Sequence, residues 1–271
     1  MVSPITFSNG TQDAAFAKEL KFRMKDYIEE GRFTLVGQPI FDFSTNRICG
    51  YEMLSRLNHP ERGVVSPGQF LPVINELQLH AEFDCHIFYE CCCWMSKLLR
   101  SGKNLEWLSC NFSRKTLGKE GIVERLVKIA DSCGIPHNRM GIELTEYENA
   151  DDEKLFHENM RNLKKHGFLI LVDDMGSGVT SSRDLVNFPV DIVKLDRSLL
   201  LNAASEEGAQ SFRRLVKLIN GTGMKSLCEG IEKFRELQLV QDAGCSYGQG
   251  FLFAPPASTD SVEVMLGGNV R

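Results

Sequence analysis

The 271-residue chain predicts an α/β fold, a barrel of the TIM (β/α) type. Three observations point to it. From about Trp107 onward, short apolar runs rich in branched residues alternate with helical stretches, and no linker or low-complexity segment divides the series. No GxGxxG follows the first strand, which counts against an open doubly wound sheet, the structural alternative. Nearly every predicted strand carries a polar residue, most often acidic, at or near its C-terminal end, and in a barrel those ends converge on one face.

Taken in order, Thr11 to about Glu30 reads as a helix, capped by Thr11, with Phe16, Leu20, Met24, Tyr27 and Ile28 at helical spacing. It is too short for a sensory domain, so residues 1–32 are a helical lead-in and 33–271 the barrel. Phe33–Phe43 and Ile48–Leu57 read as two strands joined by the turn Ser44-Thr45-Asn46, a hairpin at the start of the fold. Helices are expected from Pro67 to about Leu79 and from Ala81 to Leu99. The alternation then gives strands at Trp107–Phe112, Met140–Leu144, Phe168–Val172, Val190–Leu195, Met224–Cys228 and Gly250–Phe253. Between them lie helices at Gly121–Cys133, Asp152–His166, Ser182–Asn187, Gln210–Asn220 and Lys233–Asp242.

Composition narrows the function classes. The chain is 42% hydrophobic and 25% charged, ordinary globular values. A net charge of −5 argues against a general nucleic-acid binder, so no DNA partner is expected. No apolar run is long enough to span a bilayer, and Met1–Phe16 lacks the pattern of a secretory signal. Nine cysteines are scattered through the predicted elements without paired CxxC or zinc spacing, which fits reduced thiols in a cytoplasmic protein. The run Cys91-Cys92-Cys93 reads as helix packing, with a redox switch as the alternative.

The chemistry gathers around Leu169-Ile170-Leu171-Val172-Asp173-Asp174-Met175-Gly176-Ser177-Gly178, a buried-strand pattern that ends in two adjacent carboxylates. Alone it would read as a surface turn. Across the chain, however, Glu52, Asn111, Glu143, Asp173, Asp174, Lys194, Glu229 and Gln249 repeat the design. Charged groups are rarely buried unless paired or bound to metal. Oxygen donors favour a hard ion such as Mg²⁺ or Mn²⁺. Glu52, Asn111, Glu143 and Asp173 would hold one ion, and Asp173 would bridge to a second completed by Asp174 and Glu229. Paired ions clamp the attacking and leaving oxygens of a phosphoryl displacement. Lys194 would neutralise charge or orient the attacking water, so Lys194, Glu52 and Glu229 are expected to carry catalysis. Such a site suits phosphodiester hydrolysis better than glycoside hydrolysis, which needs only two carboxylates.

The ordered motifs resemble the EAL-domain phosphodiesterases that hydrolyse cyclic di-GMP. Glu52-Met53-Leu54 resembles the name-giving Glu-Ala-Leu, preceded by Gln38-Pro39 and followed by Arg56 where the family has a phosphate-contacting arginine. Asn111-Phe112-Ser113, Glu143-Leu144-Thr145-Glu146, Asp173-Asp174-Met175-Gly176-Ser177-Gly178, Lys194-Leu195-Asp196, Cys228-Glu229-Gly230-Ile231-Glu232 and Gln249-Gly250-Phe251 follow in family order. The resemblance covers about Phe33 to Pro256. It implies a modified TIM barrel whose early strand runs antiparallel, a linear 5′-phosphorylated product, and substrate contacts from Gln38, Leu54, Arg56, Asp196, Glu232 and Gln249. It also implies a homodimer whose contact lies near the loop after the Asp pair, with Glu146 as the anchor of that loop. Ca²⁺, larger and looser in coordination than Mg²⁺, is expected to inhibit.

The chain departs from the family at Met53, Ser55, Leu57, Met175 and Val179, which bears on rate and dimer regulation while every expected metal ligand is kept. A catalytically weak receptor or interaction module on the same fold is therefore the alternative function. The N-terminal helix is open to two readings, packing on the barrel or binding a protein partner.

Overall fold

The computed structural model describes residues 12–145, 150–175 and 189–267, without the side chains of 12, 13, 145, 174 and 267. β1 (Phe33–Asp42) and β2 (Arg47–His59) form the expected hairpin, in antiparallel register from Phe33 opposite Leu57 to Asp42 opposite Arg47. A short β3 (Gly63–Val65) pairs with the end of β2. From β2 the sheet continues in parallel through β4 (Trp107–Ser113), β5 (Met140–Thr145), β6 (Leu169–Met175), β7 (Ile192–Leu195), β8 (Lys225–Cys228) and β9 (Tyr247–Gly248). β9 then meets β1 antiparallel at Phe41 and Asp42, which closes the ring. β10 (Ala257–Ser258) lies beside β1, outside that ring. The result is an eight-stranded closed barrel in which β1 alone among the described strands of the ring runs against its neighbours.

The helices are α1 (Gln12–Glu29), α2 (Pro67–Glu76), α3 (His80–Arg100), α4 (Arg114–Leu117), α5 (Ile122–Cys133), α6 (Glu153–Lys165), α7 (Arg197–Asn202), α8 (Glu206–Gly221), α9 (Phe234–Asp242) and α10 (Thr259–Gly267). Local chemistry sets several ends. Asp152 caps α6 by accepting from Leu155 N at 3.0 Å, and Ser205 caps α8 by accepting from Gly208 N at 3.1 Å. That serine starts α8 four residues before the expected Gln210. The expected strand at Gly250–Phe253 is a turn instead. Its backbone bonds go to the neighbouring bend and to itself: Leu252 N donates to Ile231 O and Phe253 N to Gly250 O. The ladder is completed just before it, at β9. The expected helix at Ser182–Asn187 lies outside the described residues.

Strand alternation sorts the core into layers. Ile40, Cys49, Trp107, Leu171, Ile192 and Leu227 fill the barrel interior. Over Gly141 the interior has no room for a side chain, because a Cβ there would come within 2.7 Å of Leu171 Cδ1. The opposite faces of the same strands, among them Leu108, Cys110, Phe112, Ile142, Leu144, Ile170 and Val172, pack outward in the larger cluster that includes α3, α5 and α6. Val193, Leu195 and Cys228 do the same beneath α7–α9. α1 joins the larger cluster through Phe16, Leu20, Met24, Tyr27 and Ile28, all buried. His59 on β2 ties it further, with Nε2 2.8 Å from Glu19 Oε1 and 3.2 Å from the Tyr27 hydroxyl. The apolar face of the lead-in helix is thus occupied by the barrel. No helix among the described residues is long and apolar enough to cross a membrane.

Candidate functional site

The same alternation carries polar side chains to the C-terminal mouth of the barrel. On β2, Glu52, Leu54 and Arg56 share one face, while Met53 and Leu57 point the other way and are buried in the outer core. Gln38 sits directly opposite Glu52 in the hairpin register. Asn111 and Glu143 are register partners on β4 and β5. Asp173 stands near the end of β6, Lys194 on β7, Glu229 just past β8 and Gln249 just past β9.

These residues converge on one ammonium. Lys194 Nζ lies 2.7 Å from Glu229 Oε1, 3.3 Å from Asp173 Oδ1 and 3.3 Å from Glu52 Oε2, and it contacts Glu143 Oε1 as well. Glu52 is held from both sides. Its Oε2 also accepts from Gln249 Nε2 at 2.8 Å, and its Oε1 accepts from Asn111 Nδ2 at 3.3 Å. Lys194 is 1% exposed, Glu143 0% and Glu52 7%. Among the described residues, Glu143 Oε2 and Gln249 Oε1 are buried with no hydrogen-bond partner.

A second group forms beside the first. Asp196 caps α7, accepting from Ser198 N at 2.9 Å, and Glu232 pairs with Arg197 Nη2 at 2.7 Å. Arg197 also donates to Gly230 O. Gly230 is left-handed at φ 66°, and a Cβ there would come within 2.8 Å of the Arg197 side chain. This bend lies between Glu229 and Glu232. The reading of the sequence missed Arg197. Its only signal was a cation directly after Lys194-Leu195-Asp196. Arg56 is partly buried and donates to Ser55 O at 2.8 Å. Glu146, the side chain of Asp174, and residues 176–188, with the expected dimer loop, lie outside the described residues.

A family model for the EAL domain matches residues 22–256. The chain belongs to the EAL domain family. This EAL domain is 31% identical over 236 residues to Biofilm architecture maintenance protein MbaA of Vibrio cholerae, covering 86% of this chain and 29% of that protein. It is 30% identical over 241 residues to Cyclic di-GMP phosphodiesterase PA2567 of Pseudomonas aeruginosa, covering 88% of this chain and 40% of that protein. It therefore spans less than half the length of either relative. Among solved structures, the EAL enzyme Bd1971 in its cAMP- and cyclic-di-GMP-bound form superposes with a TM-score of 0.84 at 23% identity, over 95% of this chain and 70% of that one. The PaMucR phosphodiesterase in complex with c-di-GMP gives 0.81 at 24%, over 90% and 99%. At these identities the structures establish the fold, a modified TIM barrel.

Among the described residues, the site is short of positive charge. One ammonium faces four carboxylates. Burial disfavours ionised Glu52, yet Lys194 and the hydrogen bonds from Gln249 and Asn111 outweigh it and hold that carboxyl below its ordinary value. Glu143 goes the other way: burial and the nearby charge of Glu52 push it well above the usual carboxylate range. Burial raises Glu229 to about 8, against the pull of Lys194 and with the help of Asp173 and Glu52. Burial acts to lower Lys194, but the surrounding carboxylates, Asp173 and Glu143 foremost, hold it well above the usual lysine range.

Among the described residues no three acidic, histidine or cysteine side chains stand grouped to hold a metal ion as they are. Lys194 occupies the space between them. The donor set nevertheless suits a hard divalent cation. It is oxygen-rich, it carries excess negative charge, and it leaves Glu143 Oε2 buried without a partner.

Proposed function

We propose that this EAL domain hydrolyses cyclic di-GMP to the linear 5′-phosphorylated diguanylate with the help of divalent cations. The reading rests on one observation above all: the closing of the barrel brings Glu52, Asn111, Glu143, Asp173, Glu229 and Gln249 around Lys194 at a single mouth. The relative named as a cyclic di-GMP phosphodiesterase and the Bd1971 and PaMucR structures with cyclic di-GMP bound support the choice of substrate.

Glu52, Asn111, Glu143, Asp173, Asp174 and Glu229 would hold Mg²⁺ or Mn²⁺, two ions in all. Bound there, such ions supply Lewis acidity toward phosphate oxygens and make water a better nucleophile. The chain's own part is positioning and charge. Gln249 and Asn111 fix the Glu52 carboxylate from both sides. Lys194 keeps its proton and offers positive charge to a phosphate that enters among the carboxylates. Burial among the other carboxylates raises Glu229, and a bound cation would hold it ionised. Arg56, Gln38, Leu54, Asp196 and Glu232 would frame the substrate around the mouth. The proposed dimer would act through the segment after Asp174, with Glu146 as its anchor.

The test is cyclic di-GMP with purified protein in Mg²⁺, Mn²⁺, Ca²⁺ or chelator, with binding and product formation measured separately. Linear product is expected in Mg²⁺ and Mn²⁺ and little in Ca²⁺ or chelator. Glu52→Ala, Asn111→Ala and Asp173→Ala should abolish turnover in folded protein. Binding without product in every metal would turn the reading to a receptor module. Full turnover in all three variants, with normal circular dichroism, would overturn the metal-assisted scheme.

A further inference from the structure

On the outer wall of the barrel, away from the carboxylate mouth, two thiols meet. Cys93 Sγ of α3 and Cys133 Sγ of α5 stand 3.7 Å apart, forty positions distant in the chain. Their register is fixed by the neighbouring turn of α3, where the Ser96 hydroxyl donates to Cys133 O at 2.7 Å. Both cysteines line a surface cavity of about 730 Å³, together with Tyr89, Ser96, Lys97 and Arg100.

The rest of the cysteine run is different. Cys91 and Cys92 are fully buried against the barrel, and burial raises both thiols far out of the reactive range. Cys93 alone in the run is partly exposed. Cys133 is 8% exposed. Burial raises its thiol and the hydrogen bond with Cys93 adds to this, while the charge of Arg100 acts in the opposite direction.

We propose that Cys93 and Cys133 form a thiol-oxidation site that peroxide converts to an intramolecular disulfide. The more exposed Cys93 sulfur, as thiolate, attacks one oxygen of hydrogen peroxide. An S–O bond forms, the O–O bond breaks, and the leaving oxygen takes up the proton Cys93 had released and departs as water. Cys133 sulfur then attacks the sulfenic acid. The S–S bond forms, the S–O bond breaks, and the proton of Cys133 leaves with that oxygen as a second water. Two thiols and one peroxide give one disulfide and two waters, and the two electrons pass from sulfur to oxygen. The sulfurs must approach by about 1.7 Å, from 3.7 Å to a bond of about 2.05 Å.

The 271-residue chain is treated with hydrogen peroxide, capped with a maleimide, digested without reductant and mapped by mass spectrometry. The expected product is a peptide pair joined through Cys93 and Cys133, lighter than the sum of its parts by two hydrogens and separated by dithiothreitol. Maleimide labelling should be lost at these two positions and kept at Cys91 and Cys92 after denaturation. In Cys133→Ser the reaction should stop at a Cys93 sulfenic acid that dimedone traps. Full maleimide labelling of both cysteines after peroxide, linkage through other cysteines, or an unlinked sulfinic acid at Cys93 in the unmodified chain would each overturn the assignment. The mapping of the unsubstituted chain decides this even where a variant fails to fold.

Discussion

The Lys194 ammonium stands among Glu52, Glu143, Asp173 and Glu229. Removing a partner from a buried ionic group is more costly than never having built the group, because the remaining charges stay desolvated. Lys194→Met is therefore expected to lower stability in chelator by about 3–5 kcal/mol. Mg²⁺ should restore more stability to the variant than it adds to the wild type, since a divalent cation would relieve the same repulsion. Urea unfolding with and without metal reads both effects. A variant within about 1 kcal/mol of wild type in chelator would mean the ammonium is not what balances these carboxylates. Met53 shows the opposite case. It adjoins Glu52 in sequence, but strand alternation turns it into the outer core at 1% exposure. Its departure from the family alanine is a matter of packing volume, a distinction that adjacency in the chain hides.

At the scale of elements, α3 is tied to the end of β4 by Asp84, which accepts from Ser113 N at 3.0 Å and from the Thr116 hydroxyl at 2.6 Å. Burial raises this carboxyl to about 7, and the two hydrogen bonds only partly counter it. The folded state therefore holds a proton that the unfolded chain releases near its ordinary value of 3.8. Between those two values the native state binds more protons, so this group's contribution to stability falls as pH rises. Below the window both states are protonated, and above about 7 both are ionised and the full cost of burying the charge remains. Asp84→Asn should flatten the decline, so that its stability relative to wild type improves from pH 4.5 to pH 8. Urea midpoints across that range decide the matter. A constant offset between the two proteins would show that Asp84 does not titrate in this window.

For the whole molecule, the lead-in helix and the barrel share a core. Met24 is 0% exposed and sits in the same apolar cluster as Phe70, Phe83 and Phe112. Truncating such a side chain costs about 2–5 kcal/mol through lost burial and the cavity left behind. Met24→Ala should accordingly lower the midpoint of one cooperative unfolding transition, followed together by near- and far-ultraviolet circular dichroism. A separate early transition, or an unmoved main one, would make α1 an independent appendage. α1 meets β2 through Glu19 and Tyr27 at His59 and shares its apolar cluster with Phe70 of α2.

The sequence alone already carries the barrel, the succession of its strands along the chain and the identities of the polar residues at their ends. These follow from local regularities: a period of two in strands, of 3.6 in helices, and motifs whose chemistry is costly anywhere but at a shared site. It could not place the last strand. The difference between β9 and a turn at Gly250–Phe253 lies in backbone bonds to Ile231, far away in the chain. Short elements such as α4, α7 and β10 carry too few residues for a period to show. That Lys194 meets four carboxylates, that Gln249 holds Glu52 and that Arg197 engages Glu232 emerges from the packed barrel. Those contacts depend on how far the closed ring brings seven strand ends together, and closure is a long-range property no single window of sequence contains.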